Sequence, residues 1–107
     1  MHMKLSIGSI ILVALGAASA WAGATEGKAV FDRACKSCHG ADGAGNPTIA
    51  KMMKVDMRPL SSSEVQSLPD ADLKAVIMKG KGKMKPITSV TGNQLDDVVA
   101  FVRTLKK

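Results

Sequence analysis

Cys35-Lys36-Ser37-Cys38-His39 gathers three residues with strong covalent or metal chemistry into one pentapeptide, and no other stretch of the chain does so. The spacing C-x-x-C-H reads as the attachment site of a c-type haem, with each cysteine sulfur adding to one vinyl group as a thioether. Positions i and i+3 lie about one helical turn apart, so both sulfurs reach the same porphyrin edge. His39 follows directly and is carried under the ring, where an imidazole nitrogen binds iron. Two other chemistries use such a cysteine pair. A dithiol redox pair calls for a βαβ setting, and a zinc site calls for four ligands.

Upstream of the motif the chain reads as a secretory leader. Lys4 precedes an apolar run from Leu5 to Ala18, broken only by Ser6, Gly8, Ser9 and Gly16. Three small-x-small sites follow: Ala18-Ser19-Ala20, Ala20-Trp21-Ala22 and Ala22-Gly23-Ala24. The run is short for a membrane span, which favours a cleaved leader over an anchor. The expected division is a signal peptide at 1–24 and one domain at 25–107, with no integral span in the mature chain. A domain that small needs a staple, and a covalently bound, buried haem supplies one. Export also places the two cysteines in an oxidising compartment. A disulfide across so short a loop would constrain little of the unfolded chain.

Losing the leader narrows the choice of iron ligands. Of the two histidines, His2 departs and His39 remains, and the chain has no tyrosine. The sixth ligand is then methionine, lysine, a chain terminus or water. Met52, Met53, Met57, Met78 and Met84 persist. Met78 falls inside a helical pattern. Met52 and Met53 read as apolar packing, a use to which methionine is well suited. Met57, before Arg58-Pro59, is placed to line a pocket. Met84 stands alone in Gly80-Lys81-Gly82-Lys83-Met84-Lys85-Pro86, where two glycines permit a tight loop and a proline stiffens its exit. That context suits a ligand, and Met84 is the expected partner of His39 across the iron.

The remaining pattern is helical. Thr25 to Ala34 reads as a helix with Thr25 as N-cap and Glu26 in the first turn. Gly27 and Phe31 share one face of it. A glycine inside a helix is costly, which points to close approach of another helix. Gly40 to Pro47 reads as a loop, with a carbonyl near Asn46-Pro47 expected to accept the second imidazole N–H of His39. Thr48 to Lys54 is a short ambiguous apolar piece. Ser61-Ser62-Ser63-Glu64 reads as a capping box, and Leu68 to Lys79 as a helix closed by Gly80. Thr91-Gly92-Asn93-Gln94 is a second capping box, with Val90 and Leu95 as a hydrophobic staple. Leu95, Val98, Phe101, Val102 and Leu105 form one apolar stripe. No strand pattern of useful length appears, so the expected class is all-α.

From Gly27 to Leu105 the chain resembles the small bacterial class I (monohaem) cytochromes c. The resemblance rests on Gly27-x-x-x-Phe31, on Cys35-Lys36-Ser37-Cys38-His39-Gly40, on the Met84 loop and on a last helix whose aromatic is Phe101. It implies about four short helices wrapped round one covalent haem c, attached through Cys35 and Cys38 and ligated by His39 and Met84. It also implies that the first and last helices cross, with Gly27 and Phe31 meeting Phe101. Two features depart from the family pattern. Lys85 stands between Met84 and Pro86, and residues 25–107 contain neither the tryptophan nor the tyrosine that many members place near a haem propionate. Arg58 and Asn or Ser side chains are the candidates to replace it.

The function implied is a periplasmic one-electron carrier and not an enzyme. A haem enzyme or gas sensor with an open sixth site is the alternative, and a thiol oxidoreductase is a third reading. The chain carries 15 Lys+Arg against 9 Asp+Glu, and the mature part stays basic. Lys79, Lys81, Lys83 and Lys85 surround Met84, which suits redox partners with acidic docking surfaces. The aromatic interleaving of a nucleic-acid binder is missing. A monomer is expected.

Overall fold

The computed structural model describes residues 15–107, with side chains from Gly23 onward. Of the leader expected over Met1–Ala24, residues 1–14 lie outside the described residues. The remainder is helical and runs without a break into the first helix, α1 (Leu15–Ala34). Thr25 is therefore inside a helix and not its N-cap. The alanine-rich stretch before it has high helix propensity, so with the leader attached nothing stops the helix at Thr25.

Five more helices follow among the described residues: α2 (Lys36–His39), α3 (Pro47–Met53), α4 (Ser63–Gln66), α5 (Asp70–Lys79) and α6 (Asn93–Thr104). The all-α class is as expected, although the count exceeds four because α2 and α4 are separate single turns. The described residues contain no strand, only one isolated bridge between Lys81 and Met84. The βαβ setting that a dithiol redox pair would need is thus missing among them.

The crossing of α1 and α6 organises the core. A Cβ built on Gly27 would lie 1.8 Å from the carbonyl oxygen of Asp97 and 3.0 Å from the Cβ of Phe101. Glycine there lets two backbones touch. One turn on, the rings of Phe31 and Phe101 meet at 5.0 Å between centroids with a 51° tilt. Such a pair adds about 1 kcal/mol beyond its area burial. Val30, Val90, Leu95, Val98 and Val102 complete the cluster, and Val90 is wholly buried. α6 buries the expected stripe, with Leu105 only partly covered, and in addition buries Val99.

Two caps are displaced from the expected register. Ser62, not Ser61, caps α4, its Oγ accepting from the Val65 N–H at 3.4 Å. Glu64 then falls one position early for the reciprocal half of a capping box. α6 begins after Gly92, which has φ +58 and makes no side-chain cap. Thr91 is accordingly outside the helix, although Val90 and Leu95 still share the core.

A polar latch ties the α4–α5 corner to α6. The Gln66 side-chain amide donates to the carbonyls of Leu60 at 2.8 Å and Val102 at 2.9 Å. The Arg103 guanidinium donates to the carbonyls of Gln66, at 2.8 Å, and Leu68, and pairs with Asp70 at 2.8 Å. Charge-assisted bonds of this kind are worth about 1.5–3 kcal/mol. Arg103→Leu is expected to lower stability by about 2 kcal/mol in a denaturant melt. A change below about 0.5 kcal/mol, the ordinary range for surface substitutions, would show that the latch is idle.

Candidate functional site

The C-x-x-C-H motif straddles a helix start. Cys35 sits at the N-cap position of α2, and Cys38 and His39 occupy its single turn. The His39 and Cys38 N–H groups both donate to the Cys35 carbonyl, at 3.0 and 3.3 Å, which winds the motif into one compact turn. Gly40, with φ +78, ends it.

The loop after the motif folds back underneath. The Gly45 N–H donates to the His39 carbonyl at 2.7 Å, and the Asn46 N–H to the Cys38 carbonyl at 2.9 Å. The Asn46 side chain does two further jobs. Its amide donates to the Ser37 carbonyl at 3.1 Å, and its oxygen accepts from the Thr48 and Ile49 N–H groups, capping α3 with Pro47 in the first turn. Sequence reading missed this helix start, although Asn followed by Pro at N1 is a legible signal for one. Asn46→Ala is expected to cost about 1 kcal/mol and to loosen the motif turn. A thermal melt of the haem-loaded protein checks it, and an unchanged midpoint would contradict the double role.

The expected second bond of His39 is not made. Its Nδ1 is buried and meets no protein acceptor. The loop spends its Gly45 and Asn46 N–H groups on the motif's carbonyls. Burial holds the imidazole below its usual pKa, so the ring is neutral at neutral pH, which is the ligating form. Burial also pushes the Cys35 thiol up, with the neighbouring Cys38 adding to the shift.

Met84 arrives from the other end of the chain. Lys81 and Met84 exchange both backbone hydrogen bonds, each at 2.9 Å, closing a tight turn over Gly82 and Lys83. Gly80 must be glycine, because a Cβ there would lie 2.5 Å from the Met84 carbonyl oxygen. The Ile87 N–H returns to the Ile77 carbonyl at 2.8 Å and fastens the loop to α5.

These elements close on a cavity of about 180 Å³. Cys35, His39, Lys81 and Met84 lie on its wall, with Phe31, Leu60, Leu73, Ile77, Val98 and Val102 among the apolar side chains that complete it. The structure thus brings Cys35, His39 and Met84 together. Cys38 is half-buried and off the wall. Among the described residues Met84 is the one methionine on the cavity. Met57 is half-buried beside Gly45, not on the wall. Met52, expected to pack, is 73% exposed because it falls on the outer face of α3, and Met78 is 47% exposed on α5.

The donor set on this apolar cleft, the Cys35 thiol, the His39 imidazole and the Met84 thioether, fits the attachment and ligation of a haem. The zinc reading lacks a donor set, since among the described residues no three His, Cys, Asp or Glu side chains cluster. No helix among the described residues is long and apolar enough to cross a membrane.

Comparison with known proteins agrees. The family model for cytochrome c matches residues 24–106. The solved structure of the KustC0563 c-type cytochrome superposes with a TM-score of 0.64 at 25% identity, over 76% of this chain and 98% of that one. No curated protein sequence matches. Cys35 and Cys38 have the spacing through which such proteins bind haem c covalently, and the family's work is haem-based electron transfer with redox partners. The chain belongs to the cytochrome c family, as a small member with a single haem motif.

Proposed function

We propose that the protein is an exported periplasmic electron carrier of bacterial type, monomeric and not an enzyme, whose single haem c is ligated by His39 and Met84. The division into a leader at 1–24 and a haem domain at 25–107 belongs to this reading. The observation that carries it is the shared cavity wall, where the one histidine of the motif and one methionine of a distant loop converge.

When bound, the haem supplies one-electron chemistry at iron. The chain's residues set the conditions for it. His39 and Met84, both neutral donors, would be the residues that hold the haem iron, and with both bound the iron would offer no site to oxygen or peroxide. A thioether ligand raises the reduction potential. Phe31, Leu73, Val98 and Val102 line the cleft with apolar surface, which would keep water from a bound haem and disfavour extra charge there. The Lys81–Met84 turn is fastened at both ends, so the ligand need not move between oxidation states.

Lys79, Lys81, Lys83 and Lys85 are all exposed round this turn. They form a basic rim suited to acidic surfaces on redox partners. Charge reversal of Lys83 and Lys85 to glutamate is expected to slow electron exchange with an acidic redox protein at low ionic strength by about tenfold or more. Stopped-flow rates across a salt series check this. A rate unaffected by both charge and salt would mean that the lysines are only solvated.

The function is tested by a potentiometric titration of the purified exported protein, with peroxide turnover measured alongside. A reversible one-electron wave without peroxide turnover supports the carrier. Peroxide turnover with rapid binding of carbon monoxide favours the open-site alternative.

A further inference from the structure

A haem carries propionate carboxylates, and a carboxylate at the edge of an apolar cleft calls for a charged or hydrogen-bonding partner. Residues 25–107 lack the tryptophan and tyrosine that would serve, and the side chains expected to replace them are placed elsewhere. Arg58 is exposed and off the cavity wall. Asn46 already spends its amide on the Ser37 carbonyl and its oxygen on the cap of α3. Ser62 caps α4, and the Ser67 hydroxyl donates to the Glu64 carbonyl. The wall itself bears three ionisable side chains: Cys35, His39 and Lys81. The first is used by the thioether and the second by the iron, which leaves Lys81.

We propose that Lys81 holds one haem propionate by a charge-assisted hydrogen bond, in place of the absent aromatic. Lys81 lines the cavity and is at the same time exposed, which puts it at the mouth, where the polar edge of a haem belongs. Lysine suits such a place, because its methylene stem covers apolar wall while its ammonium stays in water. The turn fixes where the side chain starts, through the two backbone bonds of 2.9 Å between Lys81 and Met84. Its neighbours Gly80 and Gly82, with φ of +76 and +57, bring no side chains to compete for the space. Lys79, Lys83 and Lys85 are exposed and off the wall, so the loop turns one lysine to the haem and leaves three for partners. The inference rests on the haem of the proposed function, and not on Met84 as its ligand.

Resonance Raman spectra and reduction potentials of the haem-loaded protein, taken at one pH, test the pair. Lys81→Gln leaves a propionate anion unpaired, which favours the ferric state. The propionate bending band is expected to shift and the potential to fall. The fall should persist in about 1 M salt, which screens exposed charges beyond about 3 Å. Lys81→Arg should restore band and potential, since a guanidinium also binds a carboxylate. Lys83→Gln should leave the band in place. A band unmoved in Lys81→Gln overturns the proposal, as does an equal shift of the band in Lys83→Gln. Failure of the His39–Met84 ligation shows separately, as a wild-type spectrum without a sulfur-to-iron band, and the propionate band decides on Lys81 in that case too.

Discussion

Gly27→Ala is expected to cost the folded domain about 3 kcal/mol or more of its stability. The added methyl carbon would sit 1.8 Å from the Asp97 carbonyl oxygen, a backbone atom in the middle of α6. No rotamer relieves that overlap, so α1 and α6 must move apart. Separation also opens the Phe31–Phe101 contact and uncovers Val98, both at the centre of the core. Overpacking in a well-filled core costs about 1–3 kcal/mol, and a clash with backbone belongs at or above the top of that range. Domains of this size are stable by about 5–15 kcal/mol. The melting temperature, followed by helical circular dichroism of the haem-loaded protein, should fall by about 12 °C or more. A fall under about 3 °C, less than 1 kcal/mol is expected to produce, would mean that the helices do not cross at Gly27.

Met84→Ala has the second large effect, and it falls on the iron and not on the fold. Met84 sits in a turn held by backbone bonds between residues 81 and 84 and between 77 and 87, none of which needs its side chain. The variant should therefore fold and retain haem through Cys35 and Cys38. Loss of the thioether is expected to lower the reduction potential by on the order of 0.1 V, given the span over which axial ligands set it. Cyanide and carbon monoxide should then bind rapidly. Voltammetry and ligand-binding kinetics measure both. A variant with unchanged potential and slow ligand binding would remove Met84 from the iron.

The parts of this architecture that could be read in advance are those encoded locally. Gly27 and Phe31 marked the crossing because glycine inside a helix is tolerated where another backbone must approach. The C-x-x-C-H pentapeptide declared its own chemistry, and Met84 stood out because its flanking glycines and proline left no packing role for it. What escaped was either degenerate in register or long-range. Three consecutive serines offer α4 several caps, and Ser62 prevails where Gln66 is drawn to the carbonyls of Leu60 and Val102. That latch joins residues 36 positions apart and has no local signature. Gly92 displaces Thr91 as the cap of α6 through a φ of +58 that glycine adopts freely, and the pattern Thr91-Gly92 offers both residues as caps. The end of α3 at Lys54, with φ +54, is silent, since a left-handed residue other than glycine is set by its surroundings. The missing acceptor for His39 Nδ1 depends on where one loop sends its carbonyls.

The central claim is that His39 and Met84 close both faces of the iron. An absorption spectrum of the purified oxidised protein, recorded before and after adding cyanide, tests it most directly. The account predicts a low-spin spectrum with a sulfur-to-iron charge-transfer band that disappears only slowly as cyanide displaces the thioether. A high-spin spectrum that converts at once on mixing would show an open coordination site and contradict it.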